Sequence, residues 1–387
     1  MTAKLSRSFH RLAITATLST LAMLTAPVTQ AAGTVGTGTP ASCTDAALDT
    51  ALTGGGLVTF NCGGGAVTIT VLTTKSITLN TTIDGGAGNL ITLSGGNVLQ
   101  VMVVNSGTIT VTLQNLTIAN GSTTAFGGGV SNFGTLIVTN STFTANQASS
   151  GGGAIWNLSG GASTVTITGS TFSGNTGVNG GAIYNSGNAV TITNSTFTGN
   201  NATVGGAILG DGGLITLRNV TISGNSATVS GGGILDSIDN SQAFNSIVAN
   251  NTPDNCGGIA FDSLSSFNLV SDASCSFAGG TGNLINTNPL LAALASNGGP
   301  TQTMALNTGS PAIDTGSPNL AGIDICATVD QRGTARPQGP RCDIGAFELV
   351  AAAPAAIGPI PTLSEWALIM LAGLVGFWGL MQVRRTG

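Results

Sequence analysis

The chain has 387 residues and only 6% of them are charged, against about 25% in a typical soluble domain. With 59 glycines and plentiful valine, isoleucine and threonine, this composition excludes a disordered chain, which would be charge-rich and poor in β-branched residues. It favours an all-β protein with many tight turns. The 15 acidic residues outnumber the 10 basic ones, which argues against nucleic acid as a partner.

Residues 1–31 have the parts of a secretory signal peptide. Lys4 and Arg11 belong to a basic start, Leu12–Leu24 is mostly apolar, and small residues lead to a cleavage site near Ala31. As a membrane span this apolar run is short and is diluted by threonine and serine. We therefore expect residues 1–31 to be removed and the protein to be exported.

Residues 32–56 are expected to cap the N-terminal end of the fold. Residues 42–52 read SCTDAALDTAL, which predicts a short helix with Ser42 as its cap and Asp45 in its first turn. A stack of strands needs such a cover, because an open strand edge pairs with other chains.

Six cysteines agree with export to an oxidising compartment. Six cysteines allow ~15 pairings, and short intervals along the chain favour three local ones. No Cys-x-x-Cys occurs and no histidine follows His10, so the sequence predicts no metal and no other cofactor. The expected disulfides are Cys43–Cys62, Cys256–Cys275 and Cys326–Cys342.

Residues 57–287 contain a repeat with two markers. One is a Gly-Gly pair followed by small and aliphatic residues, as in Gly180-Gly181-Ala182-Ile183. The other is an apolar residue followed three positions later by Asn. In one copy this interval is two positions. From the first copy to the last, the Asn positions are 26, 29, 25, 25 and 25 residues apart. The copies are Ile118–Asn120, Phe143–Asn146, Phe172–Asn175, Phe197–Asn200, Ile222–Asn225 and Ile247–Asn250.

A fixed period of this length indicates a solenoid, a propeller or an array. A propeller blade needs about 40–45 residues, and a repeat rich in glycine and threonine cannot supply the helices of a helical solenoid. About 25 residues suit one coil of short strands, stacked ~4.8 Å from the next. The sequence therefore predicts an all-β, right-handed parallel β-helix, a pectate-lyase-like solenoid.

Stacking of equivalent residues explains the residue choices. We expect the apolar residues of the second marker, from Phe143 to Ile247, to form one internal column, and the Asn residues to share amide hydrogen bonds at a turn. A stacked charge would instead face its own copy one strand spacing away, which is unfavourable. Between Gly85 and Gly210 the chain contains no Asp, Glu, Lys, Arg or His.

The paired markers, in in-phase copies over residues 115–250, resemble the repeat of polymorphic outer-membrane proteins and related bacterial surface β-helices. The resemblance implies an exported, surface-displayed β-helix with a role in adhesion or in a matrix.

Residues 288–349 are expected to cap the C-terminal end. Residues 288–314 and 330–348 resemble the terminal segment of bacterial proteins described as carrying a choice-of-anchor domain, which implies attachment to the cell surface. This segment contains the densest cluster of ionisable residues. The cluster is either a carboxylate pair for sugar chemistry or, as we favour, part of a cap that keeps the last coil soluble. Its members are Asp330, Arg332, Arg336, Asp343 and Glu348.

Residues 350–359 are rich in alanine and proline and indicate a linker, and residues 360–387 a sorting signal with a transmembrane helix. The apolar run Ala367–Val383 has 17 residues, near the lower limit for a membrane span. Arg384 and Arg385 would hold the C-terminus in the cytoplasm.

The start of this tail resembles the sorting signal named for its first four residues, Ile-Pro-Thr-Leu. The resemblance implies recognition by an exosortase-type membrane enzyme that cuts near the motif, with the inner membrane as a transient partner. The motif residues are Ile360, Pro361, Thr362, Leu363, Ser364, Glu365 and Trp366.

Many parallel β-helices are polysaccharide lyases or hydrolases, so an enzyme is the alternative function. Its candidate residues would be Asp211, Arg218, Asp236 and Asp239, of which Asp211 and Asp236 are one period apart and could stack. These groups are scattered, and no calcium-binding Gly-Gly-x-Gly-x-Asp repeat is present.

The sequence thus favours a surface protein with no catalytic residues, held by its C-terminal helix before processing. Adhesion, biofilm matrix or envelope coating is the expected role. A surface polysaccharide, or a host or neighbouring cell surface, is the expected partner.

Overall fold

The computed structural model describes residues 33–158, 163–238, 240–259, 261–277, 280–318, 326–350 and 363–384. Several predicted features lie outside these residues. They are the signal peptide at 1–31, residues 351–359 of the linker predicted at 350–359, Asp239, Ile360, Pro361, Thr362 and Arg385.

The chain forms a parallel β-solenoid of about nine turns with about 25 residues per turn, as the repeat predicted. A complete turn passes through four sheets in succession, and each strand pairs in parallel with its equivalents in the neighbouring turns. The described residues also contain two α-helices, α1 at Asp45–Leu52 and α2 at Leu363–Val383.

The described strands of the solenoid belong to four sheets. Sheet 1 contains Gly33–Val35, Gly56–Phe60, Thr81–Asp84, Thr110–Gln114, Thr135–Thr139, Thr164–Thr168, Val190–Thr193, Ile215–Arg218 and Gln242–Phe244. Sheet 2 contains Val67–Thr70, Ile91–Ser94, Thr117–Ala119, Thr142–Thr144, Thr171–Ser173, Thr196–Thr198, Thr221–Ser223, Ile247–Ala249 and Leu269–Val270. Sheet 3 contains Ser122–Thr123, Gln147–Gly151, Thr176–Asn179, Asn201–Val204 and Ser226–Ser230. Sheet 4 contains Lys75–Ile77, Met102–Val104, Val130–Asn132, Ile155–Asn157, Ile183–Asn185, Ile208–Gly210, Ile234–Asp236 and Cys256–Gly258.

Alternating residues of each strand point inward and form columns along the solenoid axis. Phe143, Phe172 and Phe197 are fully buried, and their stacked rings have centroids 4.9 and 4.6 Å apart. Ile118 and Ile222 extend this column on either side. The column is one part of an apolar core to which inward residues of sheets 1 and 4, such as Leu136 and Ile155, also belong. It forms because each coil places an apolar residue at the same position.

The column continues through Val248 to Val270, and not through Ile247 as predicted. The register shifts by one residue within the strand Ser226–Ser230, so every later position lies one residue further along the chain. Ile222 therefore pairs with Val248, and Ile247 is buried on the outer side of sheet 2.

A ladder of Asn side chains fills the corner between sheets 2 and 3. The Oδ1 of Asn175 accepts hydrogen bonds from the backbone and side-chain nitrogens of Asn146, at 3.1 and 3.0 Å. Its Nδ2 donates to Oδ1 of Asn200 at 2.9 Å and to the carbonyl of Phe143 at 3.0 Å. Both amide atoms are thus fully used, which a buried amide requires.

The ends of this ladder differ from the prediction. At one end the predicted Asn120 does not belong to the ladder. The next residue, Gly121, takes its place and donates its backbone N–H to Oδ1 of Asn146. Beyond Asn225 the position is taken by Asn251 and not Asn250, because of the same one-residue shift, and Asn251 donates in turn to Oδ1 of Asn255.

The Gly-Gly marker forms the corner between sheets 3 and 4. Gly180 has φ of +66°, which L side chains rarely adopt. A Cβ on Gly181 would collide with the carbonyl oxygen of Gly206 in the next turn. This corner therefore allows no side chain at the second glycine.

Helix α1 covers the N-terminal end of the solenoid, as predicted, and buries Leu48 in the core. It begins later than expected. Thr44 caps it, with Oγ1 accepting from the backbone nitrogen of Ala47 at 3.2 Å. Ser42, the predicted cap, lies in a short 3-10 turn before the helix.

Lys75 and a disulfide attach this cap to the first turns. The Lys75 side chain is buried, and its Nζ lies 2.5 Å from Asp45 and 2.6 Å from Asp49. Cys43 bonds to Cys62. The other described disulfides are the remaining expected pairs, Cys256–Cys275 and Cys326–Cys342.

Residues 288–318 and 326–349, which we call the C-terminal strap, run back along the outside of the solenoid. We expected this segment to cap the last coil. Its antiparallel hairpin, Leu291–Ala295 with Thr303–Leu306, belongs to an apolar cluster that includes the outward-facing Ile247. From there the strap reaches much earlier turns, since the carbonyl of Pro300 accepts from Nδ2 of Asn89 at 2.6 Å.

Threonines on the outer side of sheet 2 hold the strap in place. The buried Gln331 accepts from Oγ1 of Thr196 at 2.7 Å and donates to Oγ1 of Thr171 at 2.9 Å. Ala346 donates its backbone N–H to Oγ1 of Thr221 at 3.0 Å. A column of uncharged hydroxyls can both donate and accept, so it suits an irregular segment laid across several coils.

Replacing Asn200 by alanine should destabilise the solenoid. The change leaves the backbone nitrogen and Nδ2 of Asn175 without their acceptor, which costs about 1–3 kcal/mol or more in a buried site. Asn201→Ala is a matched control, because that neighbouring side chain is exposed. Urea unfolding, followed by circular dichroism, gives the unfolding midpoint of each variant. Equal midpoints for the two variants would contradict the structural role of the ladder.

Candidate functional site

The C-terminal tail is the first candidate site. Helix α2 has 21 residues, about 31 Å at the α-helical rise. Its segment Glu365–Val383 is long and apolar enough to cross a membrane by length and composition, and its side chains are exposed. The helix starts four residues before the predicted apolar run Ala367–Val383, so Leu363, Ser364, Glu365 and Trp366 of the motif form its first turn.

The alternative catalytic residues are not assembled on one face. Asp211 is an exposed residue just after a strand of sheet 4, whereas Arg218 ends a strand of sheet 1, with its guanidinium 5.4 Å from the ring centroid of Phe244. Asp236 pairs with Gly210 and not with Asp211. The predicted stacking of the two carboxylates is therefore wrong, and the cause is again the extra residue in the preceding strand.

Asp236 is a buried member of an inward column of sheet 4. That column contains Asn132, Asn157 and Asn185, joined by amide hydrogen bonds of 2.8 Å. Asp236 is 1% exposed, so substrate in solution does not reach it. Among the residues that the structure describes, no group of three or more His, Cys, Asp or Glu side chains is placed to hold a metal ion.

The ionisable cluster of the strap is buried inside it. Arg336 pairs with Glu348 at 2.8 Å, and both side chains are 1% exposed. Arg332 pairs with Asp330 at 2.7 Å and lies 3.6 Å from the ring centroid of Phe347. The expectation that these charges keep the last coil soluble is wrong, because the ion pairs join parts of the strap to each other.

Backbone groups hold the carboxylates of this cluster. Glu348 accepts from the backbone nitrogens of Gln338 and Asp343, at 2.8 and 2.9 Å. Asp343 accepts from those of Leu349 and Asp314, at 2.6 and 2.8 Å, while burial raises its pKa to about 6. Carboxylates occupied in this way are unsuited to the acid and base roles of a glycosidase.

Four aromatic rings meet on the outer side of sheet 4, and we call them the aromatic face. Phe126 stacks on Trp156 with ring centroids 4.4 Å apart, and its centroid is 6.0 Å from that of Tyr184. Phe133 meets Trp156 edge-on at 5.9 Å. All four residues are partly exposed.

Polar groups border the aromatic face. Trp156 donates its Nε1–H to Oγ of Ser186 at 3.0 Å, and Tyr184 donates its hydroxyl to Oδ2 of Asp211 at 3.2 Å. Partial burial and the Asp211 carboxylate raise the pKa of Tyr184, so the hydroxyl stays protonated at neutral pH.

Sequence reasoning missed this cluster, although a signal was available. The marker Gly-Gly-Ala-Ile is followed by an aromatic residue and then Asn in two consecutive copies, at Trp156 and Tyr184. Because inward residues alternate with outward ones in a strand, an aromatic residue next to an inward isoleucine must face outward.

Comparison with known families identifies two segments. The IPTL-CTERM motif, a C-terminal sorting signal, matches residues 359–385. The Chlamydia polymorphic membrane protein repeat matches residues 140–158, 169–186 and 219–237. No curated protein matches the chain.

Each repeat match corresponds to one part of the solenoid. It begins at the corner between sheets 1 and 2 and ends one residue after a strand of sheet 4, so it includes the Phe column, the Asn ladder and the Gly-Gly corner. The solenoid, the repeats and the sorting motif are consistent with an exported, surface-associated protein.

Arg336→Met should destabilise the strap, because it leaves Glu348 as a buried charge without its partner. Breaking such a pair costs about 3–5 kcal/mol. The measurement is protease cleavage within the strap, with circular dichroism to check that the solenoid stays folded. The double variant Arg336→Met/Glu348→Leu removes both charges and should recover most of the resistance. If the double variant is cleaved as fast as the single one, the ion pair is not what holds the strap.

Proposed function

We propose that this chain is a non-catalytic cell-surface protein, in which the solenoid is the displayed part and the tail is the sorting and attachment device. An exosortase-type membrane enzyme is the processing partner, and the inner membrane holds α2 until processing. The role that fits this arrangement is adhesion, biofilm matrix or envelope coating.

The observation that carries the proposal is the order of features in the tail. The IPTL-CTERM motif, the apolar helix α2 and the arginine pair follow one another. A helix of this length suits a bilayer about 30 Å thick, and basic residues after it favour the cytoplasmic side. The cut would release the solenoid from this anchor.

The solenoid supports a binding role rather than a chemical one. Its interior columns are packed with side chains such as Phe172 and Asn175, which are 0% exposed, so a partner has access only to the outer faces. The Chlamydia polymorphic membrane protein repeats point in the same direction. A long, rigid surface of this kind suits contact with a polymer or another cell.

The absence of catalysis is part of the proposal. A lyase or hydrolase would need several acid, base or cationic groups converging on one outer face. Of the candidates with described side chains, Asp236 is buried, whereas Asp211 and Arg218 lie on different sheets. Asp211 is the exposed carboxylate that an enzyme at this site would have to use.

Processing of the tail predicts a shortened C-terminus. Mass spectrometry of the protein from its native cells should find an end near Pro361, without Arg384 and Arg385. Pro361→Ala should leave the tail intact and the protein in the membrane fraction, because the altered motif is no longer recognised.

The matched control is Pro354→Ala, the same substitution outside the matched segment. It should be processed like the unaltered protein. An intact tail in unaltered cells would contradict the sorting proposal and leave a simple membrane-anchored protein.

The non-catalytic proposal is tested with purified full-length protein and a panel of neutral and acidic polysaccharides. We expect no new reducing ends and no unsaturated sugar products. Degradation by the unaltered protein that disappears in Asp211→Asn would show that the chain is an enzyme.

A further inference from the structure

The aromatic face is placed where the solenoid itself does not need it. Trp156 and Tyr184 are paired in register in neighbouring turns of sheet 4, and the residues beside them, such as Ile155 and Ile183, supply the buried core. In other turns the equivalent outward position is occupied by Val103, Ser131, Leu209 or Leu235, so an aromatic ring there is not required for the fold.

The aromatic face contains residue types that are rare in this chain. Aromatic residues make up 4% of the sequence, which has one tyrosine and three tryptophans. The other two tryptophans, Trp366 and Trp378, belong to α2. The tyrosine and the one tryptophan outside the tail therefore lie side by side on a partly exposed surface, where rings with a polar tip are typical of binding sites.

Hydrogen-bonding groups surround the rings. The exposed Asp211 carboxylate is beside the Tyr184 hydroxyl, and Ser186 is beside the indole nitrogen. Gln100 completes the border, with Nε2 donating to Oγ of Ser131 at 2.9 Å. Aromatic side chains with a few oriented polar groups among them are the usual lining of a small-molecule site.

We propose that the aromatic face binds a neutral polysaccharide. A pyranose ring has an apolar C–H side that packs on an aromatic ring, and an edge of hydroxyls that donate to a carboxylate. Trp156 and Tyr184 belong to strands of neighbouring turns, which lie ~4.8 Å apart, and would contact consecutive sugar units of a chain lying along the solenoid axis. None of the residues named for the face or its border is cationic, and Asp211 would repel an anionic glycan.

This inference rests on the proposed function, because it names the partner of a surface protein. It does not depend on processing of the tail, so the two can fail separately. Mass spectrometry of the C-terminus tests the tail, whereas the experiment below uses purified protein.

The test is affinity electrophoresis of the full-length chain in detergent, in gels containing a neutral polysaccharide. The probes are mixed-linkage β-glucan, xyloglucan, galactomannan and dextran, with alginate as the anionic comparison. We expect at least one neutral polymer to retard the protein and alginate not to. Trp156→Ala and Tyr184→Ala should each weaken binding about tenfold. Val178→Ala, at an exposed position of sheet 3, should leave it unchanged.

A second readout avoids changing the face. Trp366→Phe and Trp378→Phe together leave Trp156 as the remaining tryptophan, so its fluorescence should shift as the retarding polysaccharide is added. Asp211→Asn keeps all four rings and should weaken the same titration. Three results would overturn the proposal: no retardation by any neutral polymer, retardation that survives both aromatic substitutions, or equal retardation by alginate.

Discussion

The structure depends on one constraint, which is that each side chain in a coil lies against its counterpart in the next coil. At a strand spacing of ~4.8 Å, only residues that tolerate their own copy can be repeated. Phenylalanine stacks on phenylalanine, and the amide of asparagine donates to one neighbour while accepting from the other. The buried ion pairs occur where stacking stops, at Lys75 beside α1 and at Arg336 within the strap.

Much of the solenoid could be predicted because this constraint acts on residues at a constant spacing. The period, the aromatic column and the Gly-Gly corner depend only on local sequence. The errors at Ile247, Asn250 and Asp211 share a single cause, one additional residue in Ser226–Ser230. The Asn spacing stays at 25 residues across this strand, because Asn250 precedes the true ladder residue Asn251, so a count between these markers does not detect the insertion.

The strap and the aromatic face were not predicted, for different physical reasons. Gln331 bonds to Thr171 across 160 positions of sequence, and no local pattern specifies a contact between an irregular segment and a distant coil. The three local disulfides and the apolar tail were accessible because short loops and composition are enough for them. The aromatic residues around Trp156 can be read from the sequence. Their assembly into one surface cluster follows only from the register of adjacent turns.

The route of the strap has a mechanical consequence. The chain leaves the described solenoid region after Leu349, beside the ion pairs and close to the turn that contains Thr221, where Ala346 is hydrogen-bonded. Tension transmitted through the tail would therefore act first on the strap, in which Gln331 and Ala346 are hydrogen-bonded to threonines of several coils. It would not peel the terminal coil from the stack one hydrogen bond at a time. An attachment point on the flank protects the free edge of a molecule whose coils otherwise separate most easily from the end.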